Sequence, residues 1–169
     1  MLTKVVPKSE ALQIVLGVAI LFCCSQICIP LKPVPITMQT VGVLLIGLFY
    51  TPKQSLITML SYITLGAIGV PVFVHFRAYI SGGPTSGYLL GFIAASIAMP
   101  LFRQWVQKNT PWMAFVTCLI GSFCIYSFGI AWLSAFLGFE KAIQVGLLPF
   151  IIPGCIKTVI LAQAVRHIR

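Results

Sequence analysis

Long apolar stretches, separated by short breaks that contain Pro, Gly or polar residues, constrain this chain more than any other feature. A helix needs about 20 apolar residues to cross a bilayer, and stretches near this length recur along the 169 residues. Only 8% of the residues are charged, against roughly 25% in an average soluble domain. A soluble protein of this size would need more charges to cover its surface. We therefore expect an all-α integral membrane protein.

The breaks divide the chain into six apolar spans within a single transmembrane domain, residues 1–169. The spans are expected at about residues 11–29, 38–50, 55–74, 83–101, 112–137 and 147–165. If the N-terminus is cytoplasmic, the inner side carries Lys4, Lys8, Lys53, Arg103, Lys108, Arg166 and Arg169, and the outer side carries Lys32, Arg77 and Lys141. Cytoplasmic loops are enriched in Lys and Arg. We therefore expect six transmembrane helices in the cytoplasmic membrane, with the N- and C-termini cytoplasmic.

The sequence offers little material for catalysis or for a metal site. Its two acids, Glu10 and Glu140, lie before the first span and in an outer loop, and it has no Asp. It can therefore form neither a catalytic carboxylate pair nor a Ser-His-Asp triad. Its six Cys have no Cys-x-x-Cys spacing and are interpreted as packing residues. It also lacks a Gly-rich phosphate loop, and its cations are scattered singly. We expect no enzyme, no cofactor, no metal and no nucleic-acid partner.

Lys157 lies within the last span, where a cation is costly and usually functional. No span contains Asp or Glu, so an anionic ligand would supply the missing counter-charge. If the last helix begins at Pro153-Gly154, its free N–H groups would lie beside Lys157 and contribute to an anion site. The alternative is a lysine that extends to the outer interface.

Two further segments, beside the outer ends of the spans, are candidates for the wall of a pocket. Residues 30–40 are rich in Pro, and irregular backbone at membrane depth must line a cavity or be covered by protein. The alternative is a rigid outer loop. In residues 82–91, Gly recurs every fourth position, which lets a ligand or another helix approach the backbone closely. Tyr88 in this segment is either an interfacial aromatic residue or a pocket wall.

Four stretches of the chain together resemble the BioY family, the biotin-binding S-components of energy-coupling-factor transporters. They are Ser25-Gln26-Ile27 with Ile29-Pro30 and residues 33–40, then residues 66–73, then Gly83-Pro84-Thr85-Ser86-Gly87-Tyr88, and finally Pro153-Gly154 with Lys157. The resemblance implies a six-helix S-component fold, high-affinity biotin capture near the outer face, and uptake across the cytoplasmic membrane. It also implies a transmembrane coupling subunit and two ATPase subunits as partners, although some members work without them.

The resemblance also implies which residues bind biotin, and where this chain departs from the family. The family's last helix usually reads Pro-Gly-Asp-x-x-Lys, with the Asp and the Lys contacting the ligand, whereas Pro153-Gly154-Cys155-Ile156-Lys157 keeps only the Lys. Uncharged groups must then accept the ureido N–H groups of biotin. We expect the carboxylate at Lys157, while the alternative sends it outward to Arg77 or Lys32. The expected binding residues are Pro35, Thr37, Gln39, His75, Arg77, Gly83, Thr85, Ser86, Tyr88, Cys155 and Lys157, and Tyr79 is a further available polar group.

Two other functions stay open at this point. The chain could be an S-component for another small vitamin, for which the missing Asp leaves room. It could also be a membrane scaffold subunit that transports nothing, which predicts no pocket behind the first loop. In addition, Ala11, Val15, Ala19 and Cys23 only partly reproduce the small-residue face with which the family's first helix docks on the coupling subunit.

Overall fold

The computed structural model describes residues 9–78, 82–106 and 110–167, and within these ranges the chain is almost entirely helical. The α-helices are α1 (Glu10–Gln26), α2 (Gln39–Phe49), α3 (Pro52–Ala67), α4 (Ser86–Val106), α5 (Pro111–Leu137), α6 (Phe139–Gly146) and α7 (Leu148–His167). Two short strands, β1 (Cys28–Ile29) and β2 (Ile36–Thr37), pair antiparallel in the loop after α1. These elements confirm the all-α prediction.

Two of the described helices, α4 and α5, are each long and apolar enough to cross a membrane. A third candidate is the pair α6 and α7, which is bent by 41° at its break. The helices α1 and α2 are apolar but shorter. These helices contain the apolar residues that predicted a membrane protein. Their exposed faces carry large apolar side chains such as Val15, Phe123 and Ile152.

Helix boundaries differ from the expected spans mainly beside the loops after α1 and α3. The third span is expected to reach residue 74, but α3 ends at Ala67 because Gly69 has a φ of 104° and Pro71 follows it. The remaining apolar residues form an irregular loop that includes a 3-10 turn, Val74–Phe76. Conversely, α4 begins three residues later than the expected 83 and continues through Pro100 to Val106. An apolar run alone cannot separate a helix from a buried loop.

A helix start at Pro153-Gly154, the condition for an anion site formed by free N–H groups beside Lys157, is not found. The helix α7 begins at Leu148 and includes Pro153, while the bend falls earlier, at Leu147. A proline this near the start of a helix removes one backbone hydrogen bond while the rest of the helix continues. Lys157 therefore lies in the third turn of α7, and no free helix N-terminus lies beside it.

The small-residue stripe on α4 packs against α5. A Cβ atom added at Gly91 would lie 2.7 Å from the Cα of Ile125 and 2.8 Å from its carbonyl oxygen. Gly87 faces Trp132 and Phe128 in the same way, and Ala95 is fully buried. Because backbone atoms cannot move aside cheaply, the stripe serves helix packing. At Gly87 and Gly91, the glycine spacing therefore serves the close approach of another helix rather than that of a ligand.

The connections alternate between two ends of the bundle. At one end, the carboxylate of Glu10, the first residue of α1, lies 3.9 Å from the Nζ of Lys53 at the start of α3. At the other end, the last turn of α1 contacts the loop after α3 through Ser25, whose Oγ donates to the carbonyl of Val72 at 2.9 Å. Trp132 near the end of α5 joins this second end by donating from Nε1 to the carbonyl of Gly83 at 3.1 Å. The candidate site lies at this second end.

Candidate ligand-binding cavity

A cavity of about 450 Å³ opens between the two irregular loops, the first turns of α2, α4 and α7, and the middle of α5. This volume is within the range of roughly 300–1,000 Å³ that is typical of small-molecule sites. Its lining residues are Pro30, Leu31, Lys32, Pro33, Val34, Pro35, Thr37, Gln39, Thr40, Phe73, Val74, His75, Arg77, Gly83, Pro84, Thr85, Ser86, Tyr88, Leu89, Phe92, Tyr126 and Phe150. The Pro-rich segment thus lines a cavity, as irregular backbone at membrane depth requires.

Lys157 binds the end of the loop after α1 from outside the cavity lining. Its Nζ donates to the carbonyl of Thr37 at 2.7 Å and to Oγ1 of Thr40 at 3.1 Å. Both threonines line the cavity, whereas Lys157 itself does not. The lysine has no carboxylate partner within the described ranges. Hydrogen bonds from a charged donor are stronger than those between neutral groups, so Lys157 anchors the end of the first loop on α7.

The second loop is held by the last two residues of α1. The Ser25 hydroxyl binds the carbonyl of Val72, and the Gln26 amide donates to the carbonyl of Phe73 at 3.0 Å. The Gln26 Oε1 accepts the backbone N–H of Phe76 at 3.2 Å. His75 adopts the left-handed conformation with a φ of 56°, and Phe76 does so with a φ of 54°. Non-glycine residues adopt this conformation only where their surroundings hold them in it.

A chain of hydrogen bonds determines which atom the Gln39 side chain can offer to a ligand. The Tyr62 hydroxyl donates to the carbonyl of Val72 at 2.9 Å, and this acceptor cannot donate in return. Tyr62 must therefore accept from Gln39, whose Nε2 donates to it at 2.7 Å. The amide oxygen of Gln39 remains as an acceptor. Because Gln39 is only 6% exposed and lines the cavity, this acceptor belongs to the buried part of the site.

Aromatic side chains form the wall contributed by α4, α5 and α7. The ring of Tyr88 stacks on Phe150 with centroids 6.3 Å apart, and Tyr126 contacts Phe150 at 6.1 Å. The Tyr88 hydroxyl donates to the carbonyl of Gly146 at 2.9 Å, just before the bend between α6 and α7. Tyr88 is 7% exposed and is therefore a pocket wall rather than an interfacial aromatic residue.

The only charged side chains that line the described cavity are cations, Lys32 and Arg77. Both are exposed at the mouth, and neither has an ion pair among the described residues. His75 lies beside them, with its Nε2 3.5 Å from the Sγ of Cys28. The cavity therefore combines a cationic mouth, an aromatic wall and a buried neutral acceptor. These features suit a ligand with an anionic group at one end and neutral polar N–H groups at the other.

The sequence of the chain matches that of the BioY family from residue 1 to residue 169. The chain is a member of the BioY family. It is 35% identical over 162 residues to the Probable biotin transporter BioY of Rickettsia prowazekii, which covers 95% of this chain and 83% of that protein. It is 39% identical over 150 residues to the Probable biotin transporter BioY of Pyrococcus horikoshii, with 88% of each chain covered. The Biotin transporter BioY of Thermotoga maritima is 35% identical over 141 residues, with 82% of each chain covered.

The fold of this BioY family member is that of a solved S-component. A crystal structure of the S-component for biotin from an ECF-type ABC transporter superposes with a TM-score of 0.84, covering 95% of this chain and 90% of that one. The two sequences are only 22% identical. The expected S-component fold is thereby confirmed.

Most of the residues expected to bind biotin in this BioY family member lie together around the cavity. All of them line it except Cys155 and Lys157. Residues two apart on a helix point in different directions, so Cys155 is exposed while Lys157 faces the first loop. Tyr79 lies outside the described residues.

Sequence reasoning missed the residues that hold the cavity walls from behind. Ser25, Gln26 and Tyr62 hold the loop after α3 through hydrogen bonds, and Thr40, which lines the cavity, accepts from Lys157. Ser25, Gln26 and Thr40 lie within the stretches that resemble the family, but only as part of a motif. Nothing in the sequence around Tyr62 indicates a link to Gln39, which lies 23 residues away.

Proposed function

We propose that this BioY family member captures biotin at the outer face of the cytoplasmic membrane and serves its uptake. The relatives named above are biotin transporters by name. The observation that carries the proposal is the cavity with cations at its mouth and an uncharged acceptor at depth. Biotin has a carboxylate on an apolar chain and a fused ring with a ureido group. The carboxylate matches the cations at the mouth, and the ureido N–H groups match the uncharged acceptor at depth.

The bound orientation we propose places the ureido ring deep in the cavity and the carboxylate at its mouth. The oxygen of Gln39 accepts a ureido N–H, and the aromatic wall around Tyr88 and Phe150 contacts the ring. The carboxylate pairs with Arg77 and Lys32, which have no other partner among the described residues. This favours the alternative orientation over a carboxylate at Lys157, because the Lys157 ammonium already donates to Thr37 and Thr40.

The decisive experiment is a direct binding measurement on the purified chain in detergent. Labelled biotin is expected to bind saturably, and biotin amide, which lacks the charge, is expected to bind about tenfold more weakly, since exposed ion pairs contribute modestly. Thiamine and riboflavin are expected not to compete. If thiamine or riboflavin competed as strongly as unlabelled biotin, the result would favour an S-component for another vitamin. An absence of binding to every vitamin would favour a scaffold subunit.

We further propose that six spans cross the cytoplasmic membrane and leave both termini in the cytoplasm. The outer cations Lys32 and Arg77 lie at one end of the bundle and Lys53 lies at the other, which supports the charge asymmetry. Fusions of a fluorescent protein and of alkaline phosphatase to the C-terminus test this topology. Fluorescence without phosphatase activity is expected, since the phosphatase is active only outside. The reverse result would exclude a cytoplasmic C-terminus.

The partners that we propose are a transmembrane coupling subunit and two ATPase subunits, because the described chain shares the S-component fold. The proposal includes no cofactor, and biotin is the transported ligand. The chain needs no catalytic group for this function, because capture requires binding and no chemical change of the vitamin.

A further inference from the structure

Gln26 uses both N–H groups and the oxygen of its side-chain amide in hydrogen bonds within the protein. One Nε2 hydrogen goes to the Ser25 hydroxyl at 2.7 Å and the other to the carbonyl of Phe73 at 3.0 Å. Its Oε1 accepts the backbone N–H of Phe76 at 3.2 Å. Gln26 is therefore bound to both sides of the turn that carries His75, although Gln26 itself does not line the cavity.

The same turn carries Arg77 to the mouth of the cavity. The backbone N–H of Phe73 donates to the carbonyl of Arg77 at 3.0 Å, and the N–H of Arg77 donates to the carbonyl of Val74 at 3.3 Å. These bonds close the turn so that the position of Phe73 determines that of Arg77. Phe73 in turn is held by Gln26. The backbone position of Arg77 thus depends on the Gln26 amide of α1.

The backbone conformation of the turn requires such a clamp. His75 and Phe76 follow each other in the left-handed region, where side chains other than glycine are rare. Phe76 is 65% exposed, and its ring contacts only that of Phe22 among the described aromatic pairs, with centroids 6.0 Å apart. The hydrogen bond from its N–H to Gln26 is the described contact that holds the backbone at this residue.

We propose that Gln26 is a positioning residue for anion selection: by clamping the turn of residues 73–77, it places Arg77 where the cavity can distinguish a carboxylate from a neutral amide. This inference rests on the proposed function. In this proposal, Gln26 does not contact the ligand. It predicts that loss of the clamp changes which ligand is preferred, rather than only how tightly all ligands bind.

The test compares biotin with biotin amide on purified variants. Gln26→Met keeps the length of the side chain and removes every hydrogen bond, and Gln26→Glu keeps an acceptor for Phe76 but loses the donor to Phe73. In both variants, the expected preference for biotin falls from about tenfold to less than about threefold, while the affinity for biotin amide changes little. Gln144→Met makes the same chemical change at an exposed position on α6 and is expected to keep the preference.

Three results would overturn the inference: an unchanged preference in Gln26→Met, an equal weakening of both ligands, or an unmodified protein that binds biotin without preferring it to the amide. An unmodified protein that binds neither ligand would instead contradict the proposed function. Hydrogen exchange on the unmodified protein decides the question if the variants do not fold. The exposed Phe76 is then expected to have a slowly exchanging N–H. Exchange as fast as in an unfolded peptide would exclude the clamp.

Discussion

Replacing Lys157 with alanine is expected to weaken biotin binding about ten- to a hundredfold while the amount of folded protein stays near normal. The ammonium of Lys157 holds the carbonyl of Thr37 and the hydroxyl of Thr40, both of which line the cavity. A hydrogen bond to a charged group is worth about 1.5–3 kcal/mol, and 1.4 kcal/mol corresponds to a factor of ten. Without this anchor, the ligand must order the first loop when it binds. Titration of the purified variant with biotin measures the loss.

The behaviour of biotin amide tells an anchor from a direct contact. Because Lys157 is proposed to act through the loop, Lys157→Ala and Lys157→Met are expected to weaken the binding of biotin and of biotin amide by the same factor. A loss confined to biotin would show that Lys157 contacts the carboxylate, as the sequence alone suggested. Unchanged binding of both would show that the side chain merely extends to the interface. Lys141→Ala, at an exposed position on α6, serves as the control.

Replacing Gln39 with methionine is expected to weaken both biotin and biotin amide about ten- to a hundredfold. The variant removes the acceptor that the hydrogen-bond chain through Tyr62 and Val72 leaves for the ligand. A buried N–H group left without a partner costs about 1–3 kcal/mol, and Gln39 is 6% exposed. Methionine has a similar length and volume, so the cavity wall is expected to remain. Binding of the two ligands to the purified variant provides the measurement.

A second variant tests whether the orientation of the Gln39 amide matters. Tyr62→Phe removes the hydroxyl that accepts from Gln39 and lets the amide rotate, so a smaller loss in the same direction is expected. Gln144→Met is the matched control. If Gln39→Met bound biotin as tightly as the unmodified chain, the ureido group would have to find its acceptors elsewhere, such as the hydroxyls of Thr85 and Ser86.

The parts of the site that could be predicted are those encoded by neighbouring residues. The prolines of residues 30–40 exclude a regular helix there, and the Gly83-Pro84 break similarly precedes α4, so both segments were expected near a pocket. Both line the cavity. The free helix N-terminus considered at Pro153-Gly154 does not exist, because the helix that begins at Leu148 continues through Pro153. The stripe of glycines was ambiguous because a ligand and a helix both require small residues.

Composition and local breaks were enough to predict an all-α membrane protein and the residues of the two loops that line the cavity, because both signals lie in neighbouring residues. The cost of placing charges in a bilayer depends on the residues and not on the fold. Only the tertiary structure decided which partners these residues have. Lys157 binds Thr37 across 120 positions of the chain, and Gln26 clamps Phe73 and Phe76 across about 50. Such contacts arise because helix packing brings distant segments together, and no local pattern in the sequence records which segments will meet.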